Sequence, residues 1–235
     1  MKTVKFGIVT YGKIARMQAQ ALKGLEGVEL AGVWGRDPAK TKGFAADFGI
    51  TAYESIAAMG KAGIDVAVIS SPHLIHREQA LEALAAGMHV LVEKPMAIST
   101  ADCDAMITAA KAAGRKLGVI SQRRWFPAVR RVRDAIDAGK IGAPVLADVV
   151  IFGWRDEAYY RSDPWRGSWA GEGGGVLVNQ AVHQLDLLLW LMGPVAEVHA
   201  YWDNLNHPYI EVEDTAAAIL RFESGAIGSD RKSVV

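Results

Sequence analysis

Short apolar runs alternate with helical patterns through the first half of the chain. Residues 4–9, 28–34, 65–70, 89–92 and 116–120 are brief, β-branched and apolar, as strands buried on both faces are. Between them, residues 14–25, 38–48, 76–86 and 99–113 carry helical patterning. Gly87 closes the third of these in the usual C-terminal position. Strand, helix, strand repeated in this way predicts a parallel sheet covered on both faces. Residues 1–122 are therefore expected to form a doubly wound α/β domain.

The second half changes character. Residues 126–138 read as a basic amphipathic helix ending at Gly139, and 145–152 as a strand. Residues 153–175 read as a long loop rich in Trp, Arg, Tyr and Gly. A strongly apolar helix is expected over 176–192, then strands over 195–202 and 215–222, with another starting at 226–228. This predicts an α+β domain over 123–235 with an open, mostly antiparallel sheet. The last residues, Ser229-Asp230-Arg231-Lys232-Ser233-Val234-Val235, do not read as an alternating strand. The sheet is accordingly expected to be incomplete, with an unpaired last strand, an apolar helix left partly uncovered, and a chain that associates and turns over poorly.

Composition narrows the classes. Hydrophobic residues make up 51% of the chain, which marks it as globular. Its 26 basic side chains are matched by 26 acidic ones, which argues against nucleic acid as a partner. The one cysteine, Cys103, excludes an internal disulfide framework and fits a reducing compartment. Met1-Lys2-Thr3-Val4-Lys5 enters a strand without a signal peptide. The apolar stretch 185–192 is interrupted by Asp186 and is too short to span a bilayer. The expected location is the cytoplasm, away from membranes.

Chemistry enters at the end of the first strand, in Gly7-Ile8-Val9-Thr10-Tyr11-Gly12-Lys13-Ile14-Ala15. A Rossmann fingerprint at such a turn brings backbone N–H groups and a helix N-terminus to a pyrophosphate. Gly12 would let the backbone approach the phosphates, and Ala15 would permit close helix–strand packing. Thr10 stands where the first fingerprint glycine is expected. The second strand ends in Gly35-Arg36-Asp37, where an NAD enzyme usually carries an acid for the ribose 2′-hydroxyl. A guanidinium suits a 2′-phosphate, so NADP(H) is expected over NAD(H). Asp37 remains a second candidate for the ribose. Lys94 falls at the carboxyl end of a parallel strand, where open α/β sheets bind ligands. Asn179 and His183 are spaced i, i+4 and are expected on one helix face, with Asp186 beside it. No histidine or carboxylate spacing suggests a metal site.

Longer motifs carry a resemblance. They are Ser71-Pro72-His73-Leu74-Ile75-His76, then Gly87-Met88-His89-Val90-Leu91-Val92-Glu93-Lys94-Pro95, then Ser121-Gln122-Arg123-Arg124-Trp125. Pro164-Trp165-Arg166-Gly167 follows, and then the run Gly173-Gly174-Gly175-Val176-Leu177-Val178-Asn179-Gln180-Ala181-Val182-His183-Gln184-Leu185-Asp186. In this order, over residues 4 to about 228, the chain resembles the glucose-fructose oxidoreductase / inositol dehydrogenase / MocA family, with its second domain cut short. The resemblance implies a nicotinamide-dependent oxidoreductase acting on a sugar or polyol, without a metal, and a homo-oligomer when full length. It implies a cis bond before Pro95. It implies catalytic roles for Lys94, His183 and Asn179, the last being Asp in many members. Carried over residue by residue, cofactor contacts fall on Thr10, Gly12, Lys13, Ile14, Arg36, Ser71, Pro72, His73, His76, Glu93, Lys94, Gln122, Trp165 and Arg166. Substrate contacts fall on Arg124, Trp154, Asn179 and His183. Two alternatives stand beside this reading: a non-catalytic nucleotide- or sugar-sensing protein on the same scaffold, and an inactive truncated form. Retention of both Lys94 and His183 favours the enzyme.

Overall fold

A computed structural model describes residues 3–234. The chain divides into two compact units, Met1–Ile120 and Ser121–Val235. The first alternates β1 (Val4–Val9), α1 (Lys13–Lys23), β2 (Val28–Trp34), α2 (Pro38–Phe48), β3 (Thr51–Ala52), α3 (Ile56–Lys61), β4 (Val66–Ile69), α4 (His76–Ala85), β5 (His89–Glu93), α5 (Thr100–Ala112) and β6 (Leu117–Ile120). Its six strands are all parallel, in the order β3-β2-β1-β4-β5-β6. β3 and α3 lie outside the elements expected from periodicity, because two strand residues and six helical ones are too few to show a period.

Both faces of this sheet are buried, and the pleat explains how. Ile8, Val33 and Val68 pack with Ala15, Ala19 and Phe44 of the helices on one side. Their chain neighbours Val9 and Ile69 pack with Met59, Leu84, Met88 and Met106 on the other. Successive side chains on a strand point to opposite faces, so a doubly covered strand is apolar at every position. Asp37, Ser55 and Ser99 cap α2, α3 and α5 with their side chains. At the start of α1, Gly12 provides no such cap.

The second unit opens with a 3₁₀ turn at Gln122–Trp125, followed by α6 (Pro127–Asp137) and β7 (Leu146–Gly153). Within the segment expected to be loop lie two short helices, α7 (Glu157–Arg161) and α8 (Trp169–Glu172). One π-helical turn, Val176–Gln180, precedes α9 (Val182–Met192), and β8 (Val195–Asp203), β9 (Thr215–Phe222) and β10 (Ile227–Val234) complete the unit. The sheet order is β7-β10-β9-β8, with β10 parallel to β7 and the other pairs antiparallel.

Two expectations are corrected here. Residues 229–234 do continue a strand, with Gly228, Asp230, Lys232 and Val234 buried on alternate positions. The alternation is hidden in the sequence because two of its inward residues are charged. Lys232 is paired with Asp230, and burial, opposed by that pairing, pulls its ammonium pKa down. β10 also lies between two partners, so the sheet's edges are β7 and β8 rather than the last strand. Leu188 of α9 packs on Leu220, Phe222 and Ala226, while Leu189 stays exposed. Among the described residues, no helix is long and apolar enough to cross a membrane.

Candidate active site

In the first unit the chain order of the strands reverses between β1 and β4, and open α/β sheets bind ligands at that point. A cavity of about 380 Å³ lies there. The end of β1 contributes Thr10 and Tyr11, the end of β2 Trp34, Gly35 and Arg36, and the segment after β4 Ser71 and Pro72. Glu78, Gln79 and Glu82 close it from α4. Thr10 has φ +97°, a left-handed backbone that suits glycine, and its N–H is held by the Trp34 carbonyl at 2.7 Å. The turn thus keeps the fingerprint's geometry without the fingerprint's residue. Lys13 and Ile14 form the first turn of α1, whose leading N–H groups meet no capping side chain. Space is open around Gly12, where a Cβ would meet nothing within 4 Å. A helix N-terminus of this kind, behind a cavity at the switch point, fits a dinucleotide's pyrophosphate.

Arg36 lines the cavity, and Asp37 is engaged elsewhere: its carboxylate accepts from Ala39 N at 2.9 Å and Lys40 N at 3.2 Å. Ser71 donates to Gln79 Oε1 at 2.6 Å. His73 and His76 are buried, and neither lines the cavity. The His76 ring lies between the Ser71 carbonyl oxygen at 2.8 Å and that of Pro95 at 2.9 Å. Burial holds its pKa below the ordinary histidine value despite those contacts. The ring therefore packs between the turn after β4 and the turn after β5, and its one N–H is donated to one of the two carbonyls. The turn after β5 is also held by Glu93, which accepts from Gln18 of α1 at 2.7 Å and whose pKa burial raises. Lys94 occupies that turn, and its bond to Pro95 is cis, as the resemblance implied.

In the second unit Gln122 is exposed and Arg124 is committed. The Arg124 fork binds Asp186 at 2.8 and 2.6 Å, and its guanidinium lies 5.3 Å from the Trp190 ring. Trp154 is exposed. Arg166 sits between two rings, 4.5 Å from Trp165 and 4.4 Å from Tyr159, and donates to Tyr159 Oη at 2.6 Å and to Asp163 at 3.1 Å. Asn179 donates from Nδ2 to that same Tyr159 oxygen at 3.2 Å and to Glu172 Oε1. Glu172 is 1% exposed, its other oxygen accepts from Gly167 N at 2.7 Å, and burial raises its pKa.

The glycine run is positioned from the opposite side by Glu213. Its carboxylate accepts from Gly175 N at 2.8 Å and Leu177 N at 3.0 Å, and its carbonyl from Val176 N at 2.9 Å. A Cβ at Gly175 would stand 1.8 Å from that carbonyl oxygen, so only glycine permits the approach. The segment then makes its π-helical turn, a distortion often found at functional sites. The turn ends at Gln180, between Asn179 and His183, so the regular helical spacing that put both on one face does not apply across it. His183 stands in the first turn of α9.

Sequence reading singled out Thr10, Arg36, Lys94, Asn179 and His183 but missed Tyr11, Glu78, Glu82, Glu172 and Glu213. The only signal for Glu172 was an acid directly before three glycines. Glu213 is 38 residues from Gly175 along the chain, and nothing local announces the contact.

Known proteins match both units. A family model described as "Oxidoreductase family, NAD-binding Rossmann fold" matches residues 4–121, and one described as "GFO/IDH/MocA C-terminal domain" matches residues 129–234. A 1,5-anhydro-D-fructose reductase of Ensifer adhaerens is 32% identical over 231 residues, which are 95% of this chain and 67% of that protein. A 1-carboxy-3-chloro-3,4-dihydroxycyclohexa-1,5-diene dehydrogenase of Comamonas testosteroni is 31% identical over 94% of this chain and 56% of its own length. The chain thus spans between about half and two thirds of the curated relatives it matches. Among solved structures, the WlbA dehydrogenase from Bordetella pertussis, in complex with NADH and UDP-GlcNAcA, superposes with a TM-score of 0.91. It is 36% identical, and the match covers all of this chain and 68% of that one.

Proposed function

Because the chain belongs to the Gfo/Idh/MocA oxidoreductase family, we propose that it moves a hydride between a nicotinamide dinucleotide and a secondary alcohol or ketone of a sugar, polyol or sugar derivative. One observation carries the reading: a cavity at the switch point of the first sheet accompanies a lysine fixed at the carboxyl end of the neighbouring strand. The nicotinamide supplies the hydride acceptor or donor. In the oxidative direction His183 takes the hydroxyl proton as general base. Lys94 hydrogen-bonds the reacting oxygen and stabilises its developing alkoxide character. Asn179 orients the substrate or the histidine and relays no proton. Gln122, Trp165 and Arg166 border the cofactor, and Arg124 and Trp154 the substrate.

We assign a preference for NADP(H). Gly35 stands where an acid would repel a 2′-phosphate, Arg36 lines the cavity, and the Asp37 carboxylate is used as the cap of α2. Arg36→Ala should weaken NADPH binding by about 1–3 kcal/mol, as loss of a hydrogen bond between charged groups does, and leave NADH nearly unchanged. Titration calorimetry with each dinucleotide reads this directly, and equal losses would refute the preference. The protein is further proposed to work in the cytoplasm, for which the single free thiol Cys103 is the support, and as a homo-oligomer. Exposed Tyr201, Trp202 and Ile219 of β8 and β9 support the latter.

The function is tested by following nicotinamide absorbance with either dinucleotide and a panel of aldoses, inositols, amino- and keto-sugars and nucleotide-linked sugar acids. The relative with UDP-GlcNAcA bound is the reason for including the last. Dinucleotide-dependent turnover of one class is expected. Tight dinucleotide binding with no turnover of any of them would favour a sensing protein instead.

A further inference from the structure

Both amide protons of Asn179 are directed at protein oxygens, one at Glu172 Oε1 and one at Tyr159 Oη, 3.2 Å away. An ionised carboxylate at that position has no proton to give to either. Its nearer oxygen would instead meet the Glu172 carboxylate. Glu172 cannot swing aside, because its second oxygen is bound to Gly167 N at 2.7 Å and the side chain is buried. The backbone carrying Asn179 is equally confined. A Cβ at Gly174 would strike Val178 at 2.5 Å, and Gly175 is pressed against the Glu213 carbonyl.

We propose that Glu172 is the positioning residue that makes position 179 an amide: the buried carboxylate selects Asn over Asp there and fixes which way the amide faces. The proposal rests on the reading of Asn179 as part of the active site. Among the described residues, the charged and titratable groups around the pair include Arg166 beside Tyr159, Asp163 paired with Arg166, Arg155 over the Tyr159 ring, Glu213 behind the glycine run, and the phenols of Tyr159 and Tyr160. The Arg166 guanidinium is already paired with Asp163, and Glu213 adds a further carboxylate on the other side of Glu172, so a second acid at position 179 enters a site that already holds buried negative charge. In the Asn179→Asp variant the new carboxyl and Glu172 would therefore share a proton, and that proton would be held into a pH range where isolated carboxyls have lost theirs.

The test is a swap. Glu172→Gln, Asn179→Asp and the double variant, which exchanges the amide and the acid, are compared with the unmodified chain in thermal unfolding and in kcat/KM against pH. Asn179→Asp alone should lower kcat/KM about tenfold to a hundredfold above neutral pH, as small misplacements in a site do. It should regain activity and thermal stability as the pH falls and the shared proton returns. The double variant should lose that added ionisation and recover most of the melting temperature. A pH profile and melting temperature of Asn179→Asp that match the unmodified chain would overturn the proposal. So would a double variant no better than Asn179→Asp. If the unmodified chain turns over no substrate, the functional reading fails by itself. The unfolding cycle, measured without substrate, then still decides the pair: coupled effects of the two substitutions uphold it, and additive ones refute it.

Discussion

Thr10 is a β-branched residue at φ +97°, in the turn that delivers the first unit's strand to its ligand cavity. Such a backbone costs about 1–3 kcal/mol at a non-glycine residue, and it persists where the surroundings over-determine it. Here the 2.7 Å hydrogen bond to Trp34 and the fixed ends of β1 and α1 do so. Thr10→Gly relieves the strain against an entropic cost of roughly 0.5–1 kcal/mol. It should raise stability by about 1 kcal/mol, a gain of roughly 2–4 °C in melting temperature for a chain of this size. A lower melting temperature in calorimetry would show that the threonine side chain contributes more than the strain costs. At this scale the sequence was legible wherever chemistry is local. Arg36 beside Gly35 and Lys94 at a strand end stood out because the role proposed for each follows from its place on an element. Glu172 and Glu213 were not, because their partners are brought to them by the fold.

Elements were legible where periodicity is clean. In the first unit the central strands are covered on both faces, so a continuous apolar run marks them. In the second, β8 is exposed along nearly its whole length yet was read as a strand over 195–202, whereas β10 buries Asp230 and Lys232 and does not display the usual alternation. The π-helical turn at Val176–Gln180 is braced by Glu213, a contact that its own residues do not announce. The next residue, Asp214, anchors the segment leading into β9. It accepts from Leu205 N at 3.0 Å, Asn206 N at 2.7 Å, and from His207 N and Nδ1 at 2.9 and 2.8 Å. Burial alone would raise its pKa, but these bonds and one from Thr215 together hold it below the usual aspartate value. A carboxyl depressed in this way contributes stability above the unfolded-state pKa and loses it as pH falls through the folded-state one. Asp214→Asn should therefore cost about 2–4 kcal/mol at neutral pH, and that penalty should shrink progressively as pH falls below about 4. Chemical denaturation across that range checks the sign, and a penalty that is constant with pH would contradict it.

For the molecule as a whole, two units contribute different chemistry to one proposed reaction. The first holds the dinucleotide cavity and Lys94, and the second holds Asn179 and His183 within a braced loop and helix. The doubly wound pattern in the sequence stops near residue 120, and the chain divides there into two compact units. The last strand of the second sheet was misread because charge at inward positions reads as solvent exposure. The central claim is that hydride transfer depends on Lys94 and His183 while dinucleotide binding does not. It is tested most directly by single-turnover transfer of deuterium from a substrate labelled at its carbinol carbon to the nicotinamide. Lys94→Met, His183→Ala and the unmodified chain are compared, with dinucleotide affinity measured on the same samples. The account predicts that each variant slows transfer by about 10² or more while affinity is retained. Near-normal transfer in His183→Ala would contradict it and make that histidine a structural residue.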